Sequence, residues 1–175
     1  SALCSHDGGA KTLVIEKSDQ YGGTSATSGG GVWIPNNRYA KAENVDDSDQ
    51  DARDYINSVS PEGKIKDELI ETYISEGPKM IDYLHENSQV KYRNLAHYPD
   101  YFPDNPGGKE GNRSMEPEPI NGTQLGNDLG KLREQHPQTA FTMGPINMNF
   151  TQVEGQLLLG ALPGWKTLFA KLFTK

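Results

Sequence analysis

An acidic side chain and the glycine-rich segment after it are the residues near the start of this chain that could bind a nucleotide. Glu16 follows the apolar run Leu13, Val14 and Ile15, which has the composition of a short strand buried on both faces. In a βαβ nucleotide-binding unit, a carboxylate at the end of the second strand accepts hydrogen bonds from the ribose hydroxyls of adenosine. The pattern therefore predicts that Glu16 binds the sugar of a dinucleotide.

Residues 22–31 supply groups that can hold phosphate. Their glycines let the main chain approach a pyrophosphate closely, and three hydroxyl side chains add donors. A glycine- and serine-rich stretch is more often a flexible linker, but its position directly after an apolar strand and an acidic residue favours a cofactor loop. We predict that the loop binds FAD through Gly22, Gly23, Thr24, Ser25, Ser28, Gly29 and Gly30.

The place of Glu16 in the chain indicates that a first strand precedes residue 1. Such a carboxylate normally lies about 20 residues after the start of a G-x-G-x-x-G fingerprint. We therefore expect residues 1–6 to be the remainder of the first helix, ended at Gly8 and Gly9. Strand 12–16 would then have an unpaired edge, and the chain alone would bind FAD weakly.

Composition excludes several other classes of function. A net charge of −7 gives no basic field for nucleic acid, and no apolar run is long enough to span a membrane. The single cysteine, Cys4, rules out an internal disulfide framework and fits the cytoplasm. The four histidines show no metal-ligand spacing, so no metal is expected.

Hydrophobic spacing places these residues on an α/β framework. Helices are expected from Asp46 to Ser60, from Ile65 to Gly77 and again from Pro78. A strand over 90–96, a long loop over 98–121, a short helix over 122–132 and a helix over 155–173 follow. We predict part of a Rossmann-like FAD-binding domain over 1–45, a helical and loop-rich substrate-facing insertion over 46–150, and a helix returning towards the FAD domain over 151–175.

Several motifs carry a specific resemblance. Glu16-Lys17, the Gly22-Gly-Thr-Ser-Ala segment and Trp33-Ile-Pro resemble the FAD-binding segment of the fumarate reductase and succinate dehydrogenase flavoproteins. Tyr98-Pro-Asp-Tyr101-Phe-Pro, Pro106-Gly-Gly and Gly111-Asn-Arg113-Ser resemble 3-ketosteroid 1-dehydrogenases. The resemblance covers only the N-terminal portion of such an enzyme, and it implies that Lys17 joins Glu16 at the FAD site.

The resemblance implies an FAD-dependent oxidoreductase acting on CH–CH bonds. FAD would take a hydride from a ring carbon of a 3-ketosteroid while a tyrosine removes the neighbouring proton, and an external acceptor would reoxidise the flavin. Tyr101 matches a tyrosine that lines the active site and supports the base, which itself would lie in sequence absent here, so this chain alone should be inactive. From the residues alone, packing with an exposed hydroxyl is the favoured interpretation of Tyr101, because it lies in an aromatic cluster with Tyr92, Tyr98 and Phe102. Arg113 is expected to be structural.

Two alternatives remain open. A related flavoprotein could act on a dicarboxylate or on another ring position, although residues 98–121 hold no Arg and His cluster to bind carboxylates. Alternatively, residues 165–175 interleave lysines with Trp and Phe, as in a non-catalytic module peripheral to a membrane. An amphipathic helix packed on its own domain is favoured over that membrane contact.

Overall fold

The computed structural model describes residues 1–134 and, beyond them, the backbone of strands 140–143 and 146–149. The helices of this part are α1 (Ala2–Asp7), α2 (Gly23–Thr27), α3 (Arg38–Ala42), α4 (Asp49–Val59) and α5 (Asp67–Asn87), with a 3₁₀ helix at Gly122–Lys131. The strands are β1 (Val32–Trp33), β2 (Tyr92–Asn94), β3 (Ser114–Pro117), β4 (Ala140–Met143) and β5 (Ile146–Asn149). No helix in residues 1–134 is long and apolar enough to cross a membrane.

A small antiparallel sheet lies at the centre of the described residues. Its strand order is β1-β3-β2, with Val32 opposite Met115 and Arg93 opposite Glu116. Strands β4 and β5 pair with each other as a separate antiparallel hairpin. Helices together with this sheet confirm the α/β fold class.

The prediction of two helices divided at Pro78 is wrong, because α5 runs without interruption from residue 67 to residue 87. A proline inside a helix removes one hydrogen bond and costs about 3 kcal/mol. The buried residues Ile70, Ile74, Gly77 and Ile81 are spaced by four, three and four, so they form one face packed on the core. Burial of this face outweighs the local effect of the proline.

Two apolar clusters hold α5 in place. Ile81 packs with Ile34 and Met115 of the sheet region, whereas Ile70 and Ile74 pack with Ala52 of α4. Helix α4 begins after Ser48, whose side chain accepts from the Asp51 amide, and its acidic first turn suits the helix dipole. The helix predicted over 46–60 is confirmed with a start three residues later.

Residues 12–16 do not form the predicted strand. No described backbone group pairs with this segment, and Leu13, Val14 and Ile15 are 83%, 75% and 85% exposed. A buried parallel strand needs neighbours on both edges and a helix on each face, and the described residues supply neither. The prediction of an unpaired edge fits this finding, whereas the prediction of formed strand geometry is wrong.

Other differences have local causes. Residues 98–121 are not one long loop, because strand β3 lies within them and buries Met115 and Glu116 between β1 and β2. The predicted helix at 122–132 is of the 3₁₀ type with a break at Gly126, and β2 lies inside the predicted strand 90–96. The helix predicted over 155–173 lies outside the described residues.

Candidate active site

A buried arginine bonds to two aspartates that lie 66 and 13 positions before it in the chain. Arg113 is 1% exposed. Its Nη2 lies 2.7 Å from Asp47 Oδ1, and its Nη1 lies 2.9 Å from Asp100 Oδ2. The two carboxylate side chains are almost fully buried as well. Arg113 is therefore a structural residue, as expected, and its charge is already balanced by two acids.

Trp33 forms an aromatic platform over this network. Its ring is stacked on Tyr73 with centroids 6.3 Å apart and is tilted against Tyr55 at 5.8 Å. The Arg113 guanidinium lies 5.4 Å from the centre of the Trp33 ring, at cation–π distance. The Trp33 indole also donates to Asp100 Oδ1 at 2.6 Å. Partial burial raises the pKa of Tyr73, whose hydroxyl donates to the Trp33 carbonyl.

The segment from Asp100 to Lys109 is a closed, tightly packed loop. The Asp100 amide donates to the Lys109 carbonyl at 2.9 Å, and the Lys109 amide returns a bond to Asp100 Oδ2 at 3.0 Å. A Cβ on Gly107 would lie 2.0 Å from the Asp51 carbonyl oxygen of α4. Gly107 also has a φ of +72°, so both space and backbone conformation require glycine here.

Tyr101 projects from the start of this loop and is 84% exposed. It lines a cavity of about 280 Å³ whose wall is mostly aromatic and apolar. The residues of this aromatic cavity are Trp33, Tyr55, Val59, Tyr98, Pro99, Asp100, Tyr101, Phe102 and Ser114. Such a wall suits a flat apolar ligand.

A second cavity, of about 270 Å³, lies against the glycine-rich segment. The lining of this glycine cavity includes Ser28, Gly29, Gly30 and Gly31 together with Leu95 and Met115. The two cavities share Trp33, Tyr98, Tyr101 and Ser114 as common wall. The predicted cofactor segment and the predicted active-site tyrosine are thus brought together.

The other predicted cofactor residues are placed as follows. Gly22 is the N-cap residue of α2 and has a φ of +109°, and a Cβ on it would lie 2.6 Å from Ala26 Cβ. Gly23, Thr24 and Ser25 belong to α2 itself, which was not anticipated. The Ser28 hydroxyl donates to the Ser25 carbonyl and accepts from the Gly30 amide, so it closes the segment internally.

Glu16 and Lys17 lie apart from the two cavities, on an exposed turn. Glu16 Oε1 accepts from the amides of Lys17 and Ser18 at 2.8 and 3.0 Å. Its second carboxylate oxygen has no partner among the described residues. The carboxylate is therefore accessible to a sugar hydroxyl, as the ribose interpretation requires.

The described residues fit an FAD group at the glycine-rich segment. Ser28 to Gly31 present main-chain groups and no bulky side chains to the glycine cavity. Gly23, with a φ of +53°, has open space where a Cβ would point. Close approach of a large planar cofactor depends on such bare backbone.

Sequence reasoning missed several residues of the site. Asp47, Asp100, Tyr55 and Trp33 were not assigned roles, because their partners are distant in sequence. Asp47 and Arg113 are 66 positions apart. Within residues 1–134, no group of three or more His, Cys, Asp or Glu side chains could hold a metal ion.

Comparisons with known proteins agree with these features. A family model described as an FAD-binding domain matches residues 1–162. A 3-oxosteroid 1-dehydrogenase from Mycobacterium tuberculosis is 38% identical over 148 residues, which cover 85% of this chain and 25% of the relative. A 4-oxocyclohexanecarboxylate 2-dehydrogenase from Sinomonas cyclohexanicum is 35% identical over 135 residues, covering 77% of this chain and 23% of the relative.

A solved structure shows a similar fold. The crystal structure of 3-ketosteroid delta1-dehydrogenase from Sterolibacterium denitrificans, in complex with 1,4-androstadiene-3,17-dione, matches with a TM-score of 0.84 and 35% identity. The match covers 97% of this chain and 29% of that one. The chain thus spans about a quarter of the length of the curated relatives it matches.

Proposed function

This chain belongs to the family of FAD-binding domains, and from that premise we propose that it serves an FAD-dependent dehydrogenase acting on the ring of a 3-ketosteroid. In this proposal the chain supplies part of the FAD site and one wall of the substrate cavity. The remaining wall and the proton-abstracting base belong to sequence beyond this chain. An external electron acceptor completes the cycle.

The shared wall between the two cavities carries the proposal. Tyr101, Tyr98 and Trp33 border both the aromatic cavity and the glycine cavity. A substrate in the first cavity would therefore lie next to a cofactor in the second. Hydride transfer requires this adjacency, because the reacting atoms must approach to about 3–3.5 Å.

Each side of the site has a separate task. FAD, when bound, supplies the acceptor for the hydride. The aromatic cavity packs against the apolar rings of the substrate and excludes water from them. Tyr101 holds a phenolic hydroxyl at the boundary, where it supports the base that removes the neighbouring proton.

The charges around the aromatic cavity favour a neutral substrate over an acid. Its lining includes Asp100 and no basic residue. The nearest arginine, Arg113, is balanced by Asp47 and Asp100, and the Lys109 ammonium is paired with Asp51 at 3.0 Å. A 4-oxocyclohexanecarboxylate or a dicarboxylate would meet no available cation among these lining residues, whereas a steroid ketone needs none.

The test is a substrate comparison with the full-length, FAD-loaded gene product. An artificial electron acceptor is supplied for the substrates that are oxidised, and a reduced artificial electron donor is supplied for fumarate. We expect turnover of 3-ketosteroids and little or none of fumarate or 4-oxocyclohexanecarboxylate. Tyr101→Phe should lower kcat roughly 10- to 100-fold with unchanged FAD content. The matched variant Tyr83→Phe removes a phenolic hydroxyl on α5 that lines neither cavity, so it should retain the activity.

Two results would contradict the proposal. A full-length protein that takes up no FAD would contradict the proposed cofactor. A flavoprotein that reduces fumarate or oxidises the cyclic keto acid in preference to 3-ketosteroids would contradict the proposed substrate class.

A further inference from the structure

We infer that Asp100 is a positioning residue, which fixes the loop carrying Tyr101 and thereby orients the Tyr101 phenol where the two cavities meet. The catalytic part of this inference rests on the proposed function of Tyr101. The structural part, that Asp100 holds the loop, stands on the contacts alone.

The Asp100 carboxylate gathers donors from three separate segments. It accepts from Trp33 Nε1 of β1, from the Lys109 amide at the far end of the loop, and from Arg113 Nη1 beside β3. The distances are 2.6, 3.0 and 2.9 Å. Its side chain is 2% exposed, so water cannot replace these bonds without local opening.

The neighbouring residue Tyr101 has no comparable anchor of its own. Its side chain makes no hydrogen bond to a described residue and is mostly exposed. The nearest anchor on its other side is the Phe102 amide, which donates to the Tyr55 hydroxyl at 3.3 Å. The direction of the Tyr101 side chain is therefore set by backbone held at Asp100 and at Phe102.

The ionised carboxylate is needed for this arrangement. All three partners of Asp100 are N–H donors, and a carboxylate offers acceptors only. In Asp100→Asn one side-chain atom becomes an NH₂ group. Whichever way that amide turns, it places a donor against Trp33 Nε1 or against the Lys109 amide and Arg113. The substitution keeps the volume and removes the acceptor pattern.

The first experiment measures the loop directly in the full-length, FAD-loaded protein. Chymotrypsin cuts after tyrosine, and cutting after Tyr101 requires the closed loop to open. We expect Asp100→Asn to raise the cleavage rate at Tyr101 roughly 10- to 100-fold. Asp104→Asn is the matched control, because Asp104 lies exposed in the same loop and should leave the rate unchanged.

The second experiment separates positioning from general stability by a double-mutant cycle. Asp100→Asn should lower the single-turnover rate of flavin reduction by a 3-ketosteroid roughly 10- to 100-fold. In the Tyr101→Phe background, Asp100→Asn should lower this rate by no more than about 3-fold, because the Tyr101 hydroxyl that Asp100 positions is already absent.

The outcomes are distinct. A cleavage rate in Asp100→Asn equal to that of Asp104→Asn would overturn the inference, and so would an undiminished effect of Asp100→Asn in the Tyr101→Phe background. An FAD-loaded wild type that oxidises no 3-ketosteroid would instead refute the proposed function, while the proteolysis result would still decide whether Asp100 holds the loop.

Discussion

Replacing Arg113 by methionine should destabilise the site far more than removing a comparable surface arginine. Methionine keeps much of the volume but removes the bonds to Asp47 and Asp100, whose side chains are 3% and 2% exposed. Removing one partner of a buried ion pair costs about 3–5 kcal/mol. Each carboxylate keeps another donor, the Asn36 amide for Asp47 and the Trp33 indole for Asp100. The cost should therefore lie at the lower end of this range, at about 3 kcal/mol. Loss of the cation–π contacts with Trp33 and Tyr55 adds about 0.5–2 kcal/mol.

The matched control is Arg38→Met. Arg38 also bridges two carboxylates, Asp82 and Glu86, but these partners are about half exposed or more. Surface pairs of this kind contribute about 0–1 kcal/mol. The two variants therefore remove the same chemistry at different burial.

The assay is hydrogen exchange followed by mass spectrometry on the full-length protein, which reports local opening free energies. Peptides covering residues 95–117 should exchange roughly 1,000-fold faster in Arg113→Met, as the combined loss of about 4 kcal/mol implies. Arg38→Met should leave these peptides unchanged. Equal exchange in the two variants would refute the argument that burial of the Arg113 network stabilises this region.

Four further outcomes are expected of the full-length protein. Gly111→Ala should cost about 1–3 kcal/mol in urea unfolding, because its Cβ would lie 2.0 Å from the Ala96 carbonyl oxygen, whereas Gly130→Ala has open space and should be nearly neutral. Lys109→Met should destabilise at neutral pH, because the Lys109 bond lowers the pKa of Asp51. The stabilisation from the Lys109–Asp51 pair is present above the unfolded pKa of about 3.9 and is lost as the pH falls through the lowered folded pKa of Asp51. The difference in free energy of unfolding between Lys109→Met and wild type should therefore vanish in acid unfolding titrations. Pro78→Ala should raise the free energy of unfolding by about 1–3 kcal/mol, since alanine restores an amide donor inside α5, and an unchanged or lower free energy of unfolding would show that the proline is accommodated without cost. Glu16→Gln should weaken FAD binding roughly 10-fold in fluorescence titrations, because bonds to a charged acceptor are worth about 1.5–3 kcal/mol, and an affinity equal to that of Glu43→Gln would contradict the ribose role.

Local signals in the sequence predicted the parts of this fold that depend on local interactions. The acidic residues that begin at Asp46 located α4, and the glycines at 22–31 located the segment beside the second cavity. The family resemblance directed attention to Tyr101. Its role, and those of the cofactor residues, stay predictions.

The remaining features depend on contacts between distant segments. Helix α5 continues through Pro78 because Gly77 packs against Ile34, which lies more than 40 positions earlier in the chain. Strand β3 exists because β1 and β2 flank it. The Asp47–Arg113–Asp100 network has no spacing signature, and its members resemble ordinary surface charges when read along the chain.

The uncovered apolar run at residues 13–15 has a practical consequence for handling this polypeptide. Three consecutive exposed aliphatic side chains, on a segment whose backbone groups have no described partner, are a template for self-association. Preparations of this 175-residue polypeptide should precipitate as its concentration rises, and a charged substitution such as Val14→Lys should keep it in solution.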